Sequence, residues 1–156
     1  MIIYLDIENT IIDCLPECNI LEGNCNRIFD FIRKNDVESV HLFTWGWKTA
    51  SEINESVVDM LFCILEVPYD RRGKTFTKED SVVAAVMAGL IDKDDVEEAL
   101  IPGMMVSRFN IDKKLAFLIH TREARKTGKE CVLIDDTIET DHYADKNAKT
   151  INPADL

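Results

Sequence analysis

The sequence predicts a single α/β domain over residues 1–156, built around a parallel sheet, and three observations carry that prediction. Ile2-Ile3-Tyr4-Leu5, Val40-His41-Leu42-Phe43 and Cys131-Val132-Leu133-Ile134 are short apolar runs, each stopping at a polar residue: Asp6, Thr44 and Asp135. Such unbroken runs are how strands covered on both faces read. The first two runs flank a stretch with helical spacing, and strand, helix, strand is the βαβ signature. Finally, 156 residues that are 46% hydrophobic and 30% charged supply one packed core and little more.

The elements follow in order. Residues 2–5 read as the first strand, and about 11–22 as a short flap after it. Over residues 23–34, Ile28, Phe31 and Ile32 fall at helical spacing, and Arg33 and Lys34 close the last turn, where the helix dipole favours cations. Residues 39–44 form the second strand. Thr49 or Ser51 can cap a helix with apolar positions Ile53, Val57, Leu61, Ile64 and Leu65, ending at Pro68. Asp70 to Lys78 is basic and carries Gly73, and reads as a loop. Two short helices, Thr77 to Leu90 and Asp92 to Leu100, have Thr77 and Asp92 as N-caps. With the loop before them they form a small helical insertion over about 70–102. Met104 to Val106 reads as a short strand and Ile111 to Lys126 as a helix with Leu115, Leu118 and Ile119 inward. A strand at 131–134, a short helix near 139–147 and a strand near Lys149 to Asn152 complete the domain.

Charge and cysteine content narrow the function classes. Eighteen Lys and Arg against 29 Asp and Glu leave a net charge of −11, which disfavours nucleic acid as a partner. The longest apolar runs are far shorter than the roughly 20 residues of a membrane span. The five cysteines are an odd number, and Met1 leads straight into a strand without the basic region of a secretory signal. Reduced thiols in a cytoplasmic compartment are expected. Cys14, Cys18 and Cys25 do not follow a zinc spacing.

Ligands of open α/β sheets bind at the carboxyl ends of the strands. There this chain places Asp6, Glu8 and Thr10 after the first strand, Thr44 after the second, and Asp135 and Asp136 after the late one. Several acids facing one another cost Coulomb energy that a bound cation offsets. All the donors are oxygen, which suits Mg²⁺ better than zinc.

These residues, in this order, resemble the motifs of the haloacid dehalogenase-like superfamily of aspartate-nucleophile phosphotransferases. Ile2 to Thr10 matches its first motif, an apolar strand followed by Asp-x-Asp-x-Thr. Val40 to Thr44 matches the second, and Val132 to Asp136 the fourth. Lys113 and Lys114 compete for the lysine of the third motif, with Lys113 nearer the helix start. Glu8 stands where most phosphatases of the superfamily carry Asp; the enolase-phosphatase branch carries Asp-Ile-Glu-Gly-Thr. Asn9 replaces that Gly, and Asn tolerates a left-handed backbone.

The resemblance implies a three-layer Rossmann-like domain and a phosphatase working through an aspartyl-phosphate. Asp6 would be the nucleophile and Glu8 the general acid and base. Mg²⁺ would be held by Asp6, the Glu8 backbone carbonyl and Asp135, with Asp136 or Glu139 in support. Thr44, Thr10 and Lys113 or Lys114 would bind the phosphoryl group. Relatives with small caps accept larger phosphorylated groups or complete the site from a neighbouring subunit, so a homo-oligomer is compatible. The expected substrate is a small phosphorylated metabolite, and the indoles of Trp45 and Trp47 favour a nucleotide or another ring-bearing ester, unless they pack in the core. A catalytically silent protein-binding domain and a nucleic-acid end-processing phosphatase are the competing classes. The latter would approach through Arg71-Arg72-Gly73-Lys74, which could instead steer a small anion or simply be solvated. His41 and His120 read as structural, and His142 as a neighbour of the acids.

Overall fold

The three apolar runs become adjacent strands in one sheet, in a computed structural model that describes residues 1–15, 17–142 and 147–156. Strand β1 (Ile2–Leu5) lies between β2 (Ser39–Phe43) and β4 (Cys131–Ile134), parallel to both. Outside them lie β3 (Arg72–Phe76) beside β2, then β6 (Ala148–Ile151) beside β4, also parallel. A two-residue strand, β5 (Asp141–His142), adds antiparallel to β6, giving the order β3-β2-β1-β4-β6-β5.

Alternate residues of each run point to opposite faces, and both faces are covered. Ile3 and Leu5 pack with Val40, Leu42, Val132 and Ile134 under α1 (Glu22–Lys34) and α2 (Glu55–Ile64), through Ile28, Ile32, Leu61 and Phe62. On the other face Ile2, Tyr4 and Phe43 meet Val82 and Ala85 of α3 (Lys78–Met87) and Ala116 and Phe117 of α6 (Lys113–His120). The layer changes sides between β3 and β4. The crevice where strand order reverses therefore opens between the carboxyl ends of β1 and β4.

Several elements differ from the sequence reading. The segment from Asp70 to Lys78 is not a loop: a 3₁₀ turn (Tyr69–Arg71) leads into β3. This strand lies at the sheet edge and buries little besides Thr75, so it lacks an apolar run to announce it. With β3 and α3 inside the sheet and its covering layer, residues 70–102 are not an insertion. The short pieces between α3 and α6 extend this layer, burying Ile91, Ala99 and Met105 in the same core, and the Lys78 ammonium ties α3 to them by donating to the carbonyls of Leu100 and Ile101.

The expected helix from Asp92 is a 3₁₀ turn (Lys93–Asp95) followed by α4 (Val96–Ala99), and the Asp92 side chain caps neither. Met104 to Val106 is no strand but the start of α5 (Met104–Ser107), which drives Met105 into the core. The helix expected over 111–126 breaks at Thr121 into α6 and α7 (Arg122–Lys126). Asn54, not Thr49 or Ser51, caps α2, whereas Thr77 caps α3 in a capping box with Asp80. Residues 141–142 are extended rather than helical, and 143–146 lie outside the described residues, as does the side chain of His142. The flap is firmly rooted: Ile11 and Ile12 are fully buried, and Ile12 bridges to both Glu8 and Ile20.

The β2–β3 register shifts between Val40 and Leu42, and His41 fills the irregularity. Its Nδ1 accepts the Lys74 N–H at 2.9 Å, while its ring stacks on Tyr4 with centroids 5.1 Å apart. A Cβ on Gly73 would come within 2.3 Å of that nitrogen. Gly73→Ala is therefore expected to destabilise the fold by about 1–3 kcal/mol through overpacking, read as a lower melting temperature. An unchanged melting temperature would show that the imidazole yields freely. Phe76 and His120 close the same aromatic group at 4.8 Å, and burial pushes the His120 imidazole down to about 4. Both histidines are packing residues.

All five cysteines are free thiols. No helix among the described residues is long and apolar enough to cross a membrane.

Candidate active site at the carboxyl edge of the sheet

Leu5 and Ile134 are paired in the β1–β4 ladder, so the residues that follow them, Asp6 and Asp135, emerge side by side. The Asp6 N–H still donates to the Ile134 carbonyl at 2.9 Å, and the Asp135 N–H to that of Ile151 at 3.2 Å. Both carboxylates are almost wholly buried, at 3% and 0% side-chain exposure. Helix α6 aims its first residue at them: Asp112 caps it by accepting from the Leu115 N–H at 2.7 Å. The Lys113 ammonium then sits 2.5 Å from Asp6 Oδ1 and 3.1 Å from Asp135 Oδ2. Those two oxygens are buried and meet no other donor among the described residues.

One ammonium cannot neutralise this many acids. Asp6, Asp135 and Asp136 bring carboxylate oxygens within 4.8 Å of one another. Burial raises the Asp6 carboxyl to about 7, with Asp135 and Glu8 pushing the same way and Lys113 opposing. Burial, seconded by Asp135, also raises Asp136. Burial alone would lower the Lys113 ammonium, but Asp6 and Asp135 outweigh it and hold it above its ordinary value. Three hard oxygen donors, two of them buried and underneutralised, are a donor set that fits a divalent cation.

The other expected residues take more varied places. Thr44 is fully buried, and its hydroxyl donates to Glu8 Oε2 at 2.7 Å and accepts the Gly46 N–H at 3.0 Å. The proton expected for a phosphoryl oxygen is thus engaged by Glu8. Thr10, also fully buried, contacts Asp6 and Asp136 at 3.4 Å each and accepts the Asp136 N–H at 3.2 Å. A hydroxyl has one hydrogen, so it serves one of these acids at a time. Both threonines hold acids in this structure.

The Glu8 carboxylate is not one of the three clustered acids. Of the two lysines, Lys113 reaches them and Lys114 instead lines an adjoining cavity. Asp136 joins the cluster, whereas Glu139 is exposed on that cavity's wall. Asn9 has a φ of 55°, the left-handed backbone expected for the residue in Gly's place.

Two residues had no role in the sequence reading. Thr137 fixes Asp135 by donating to its Oδ1 from the backbone N–H at 2.9 Å and from the hydroxyl at 2.5 Å. Its position two residues after an acid is the local turn pattern that could have revealed it. Gly46 matters for what it lacks: a Cβ there would fall 1.4 Å from Glu8 Oε1. That oxygen is buried without a hydrogen-bond partner among the described residues. Nothing in the sequence beyond the small residue between two tryptophans signals this.

The tryptophans separate. Trp47 is buried in the core, while Trp45 is half-buried and donates its Nε1–H to Ser81 Oγ at 3.1 Å. The basic run is engaged in pairs: Arg72 reaches Asp59 at 3.4 Å and the Val67 carbonyl at 3.0 Å, and Lys74 meets Asp80 at 2.5 Å. Within the flap, the hydrogen bond to Glu17 pushes the Cys14 thiol up to about 11, an unreactive range.

Fold and site together define an α/β domain with an acid cluster at its switch point. Comparison with protein-family models, with curated proteins and with solved structures finds no match to this chain.

Proposed function

We propose that this protein is a Mg²⁺-dependent phosphatase of the haloacid dehalogenase-like type, hydrolysing a small phosphorylated metabolite through an aspartyl-phosphate. The observation that supports this most is the buried juxtaposition of Asp6 and Asp135 across one lysine, with Asp136 in reach. These residues follow the chain order of the superfamily's motifs.

Phosphoryl transfer is governed by positioning and charge neutralisation. An Asp6 carboxylate oxygen attacks phosphorus as the bond to the leaving oxygen breaks, and Glu8 gives that oxygen a proton. Glu8 then takes a proton from water, whose oxygen attacks phosphorus and releases phosphate and free Asp6. Lys113 holds Asp6 in place and offsets the acids around it, while Thr137 keeps Asp135 fixed. Mg²⁺, held by Asp6, Asp135 and Asp136, would neutralise the phosphoryl oxygens. The test is hydrolysis of 4-nitrophenyl phosphate with and without Mg²⁺, beside Asp6→Asn. Metal-dependent turnover that vanishes in the variant is expected; a wild type as inert as the variant overturns the reading.

Glu8 supplies a second check. Because Gly46→Ala must displace the Glu8 carboxylate, turnover is expected to fall roughly 10²-fold, the scale of acid–base catalysis. The clash falls on the far end of the Glu8 side chain, which also gives up its bond from the Thr44 hydroxyl, so the melting temperature should fall only modestly, by the worth of about one hydrogen bond. A variant with full activity would remove Glu8 from the proposed role.

One observation favours a second reading, a catalytically silent binding module: the Thr44 hydroxyl engages Glu8 and not an open seat. That reading expects no turnover with any phosphate ester.

A further inference from the structure

Beside the acids lies an open cavity of about 750 Å³, within the range of small-molecule sites. It shares a wall with the catalytic cluster, since Lys113 and Thr137 line it and also hold Asp6 and Asp135. A phosphoryl group at Asp6 would therefore leave the rest of its ester directed into this space. We propose that the cavity takes a planar, ring-bearing leaving group, and that Trp45 is its specificity-determining residue. This inference rests on the phosphatase reading and names the substrate class.

Among the described residues the apolar part of the lining is Trp45, Val106 and Ile138. Val106 is 50% exposed and adds an aliphatic surface to the wall beside the indole. Trp45 is held in advance: its indole N–H is engaged by Ser81, a fully buried hydroxyl that in turn donates to the Thr77 carbonyl at 3.4 Å. A fixed indole offers flat apolar area without an ordering cost on binding. The charged lining selects further. Among the described residues the lining carries Lys113, paired with two carboxylates, and a second lysine, Lys114, with the acids Asp112 and Glu139. That balance disfavours a second phosphate, so a monophosphate with an uncharged ring system suits the cavity better than a diphosphate.

The experiment compares kcat/KM for adenosine 5′-monophosphate, 1-naphthyl phosphate, adenosine 5′-diphosphate and glycerol 2-phosphate in wild type, Trp45→Ala and Trp45→Phe. Both ring-bearing monoesters are expected to exceed glycerol 2-phosphate by about tenfold or more, with the diphosphate behind the monophosphate. Trp45→Ala should bring the ring preference towards one, chiefly through KM, and Trp45→Phe should restore most of it. Hydrolysis without ring preference, or equal losses on all substrates in Trp45→Ala, overturns the inference and leaves the phosphatase standing. Should no ester turn over, indole fluorescence of the Asp6→Asn variant titrated with adenosine 5′-monophosphate decides the rest. A quench absent in the Asp6→Asn, Trp45→Phe double variant keeps the ring site and overturns only the phosphatase, while no quench overturns both.

Discussion

With Asp6 as the proposed nucleophile, replacing it by Asn is expected to lower any phosphatase turnover by roughly 10⁴-fold or more, the scale for loss of a covalent nucleophile. The same change is expected to make the metal-free protein harder to melt above neutrality. In the unfolded chain Asp6 loses its proton near 3.8, but burial keeps the proton on in the fold to about 7. Between those values the folded state binds the extra proton, so this group's contribution to stability is full below the lower value and is lost as pH rises through the upper one. The shift corresponds to on the order of 4 kcal/mol, less whatever Lys113 loses with its partner. Asn mimics the protonated acid and escapes that loss. Thermal melts in chelator from pH 4 to 8 should show the variant's advantage opening across this window. A constant offset between the two proteins would show that Asp6 is not the group that titrates.

Lys113→Met should have the opposite effect on the fold. Methionine keeps much of the lysine's apolar length but leaves the Asp6 and Asp135 oxygens without their donor. Breaking a buried ion pair by removing one partner costs about 3–5 kcal/mol, which for a chain of this size is a loss of roughly 10 °C in melting temperature. The deficit should be larger at pH 8 than at pH 5, because Asp6 can take up a proton at the lower value. Millimolar Mg²⁺ should recover more stability in the variant than in the wild type, since it would bind the same unpaired acids. A change of melting temperature under about 2 °C, the same at both pH values, would contradict the paired arrangement.

The central strands were legible because burial on both faces writes them as continuous apolar runs, and their abrupt polar ends located Asp6 and Asp135. The same logic fails at an edge: Arg72-Gly73-Lys74 reads as a solvated turn, although its backbone completes the sheet beside β2. Met104-Met105-Val106 is too short for its period to distinguish strand from helix, and Gly103, at a φ of 78°, starts the helix. At the site, residue type and strand context revealed which acids converge. They did not reveal that Thr10 and Thr44 would bond to those acids, because a hydroxyl's partner is decided by competition among neighbours distant in sequence. Thr137 and Gly46 act through a turn hydrogen bond and through a missing side chain, neither of which leaves a periodic trace.

The edge strand β3 has a consequence for how copies of this protein meet. Its Lys74 and Arg72 side chains, and the irregular register that seats His41, disrupt the flat ladder on which another chain's strand could align. At the opposite end β5, two residues long among the described residues, runs against the direction of its neighbour. Both borders are thus poor templates for strand addition, which protects a folded parallel sheet from runaway growth into fibres. Lasting association between copies is expected to use the helical layers, and the sheet to remain a private interior.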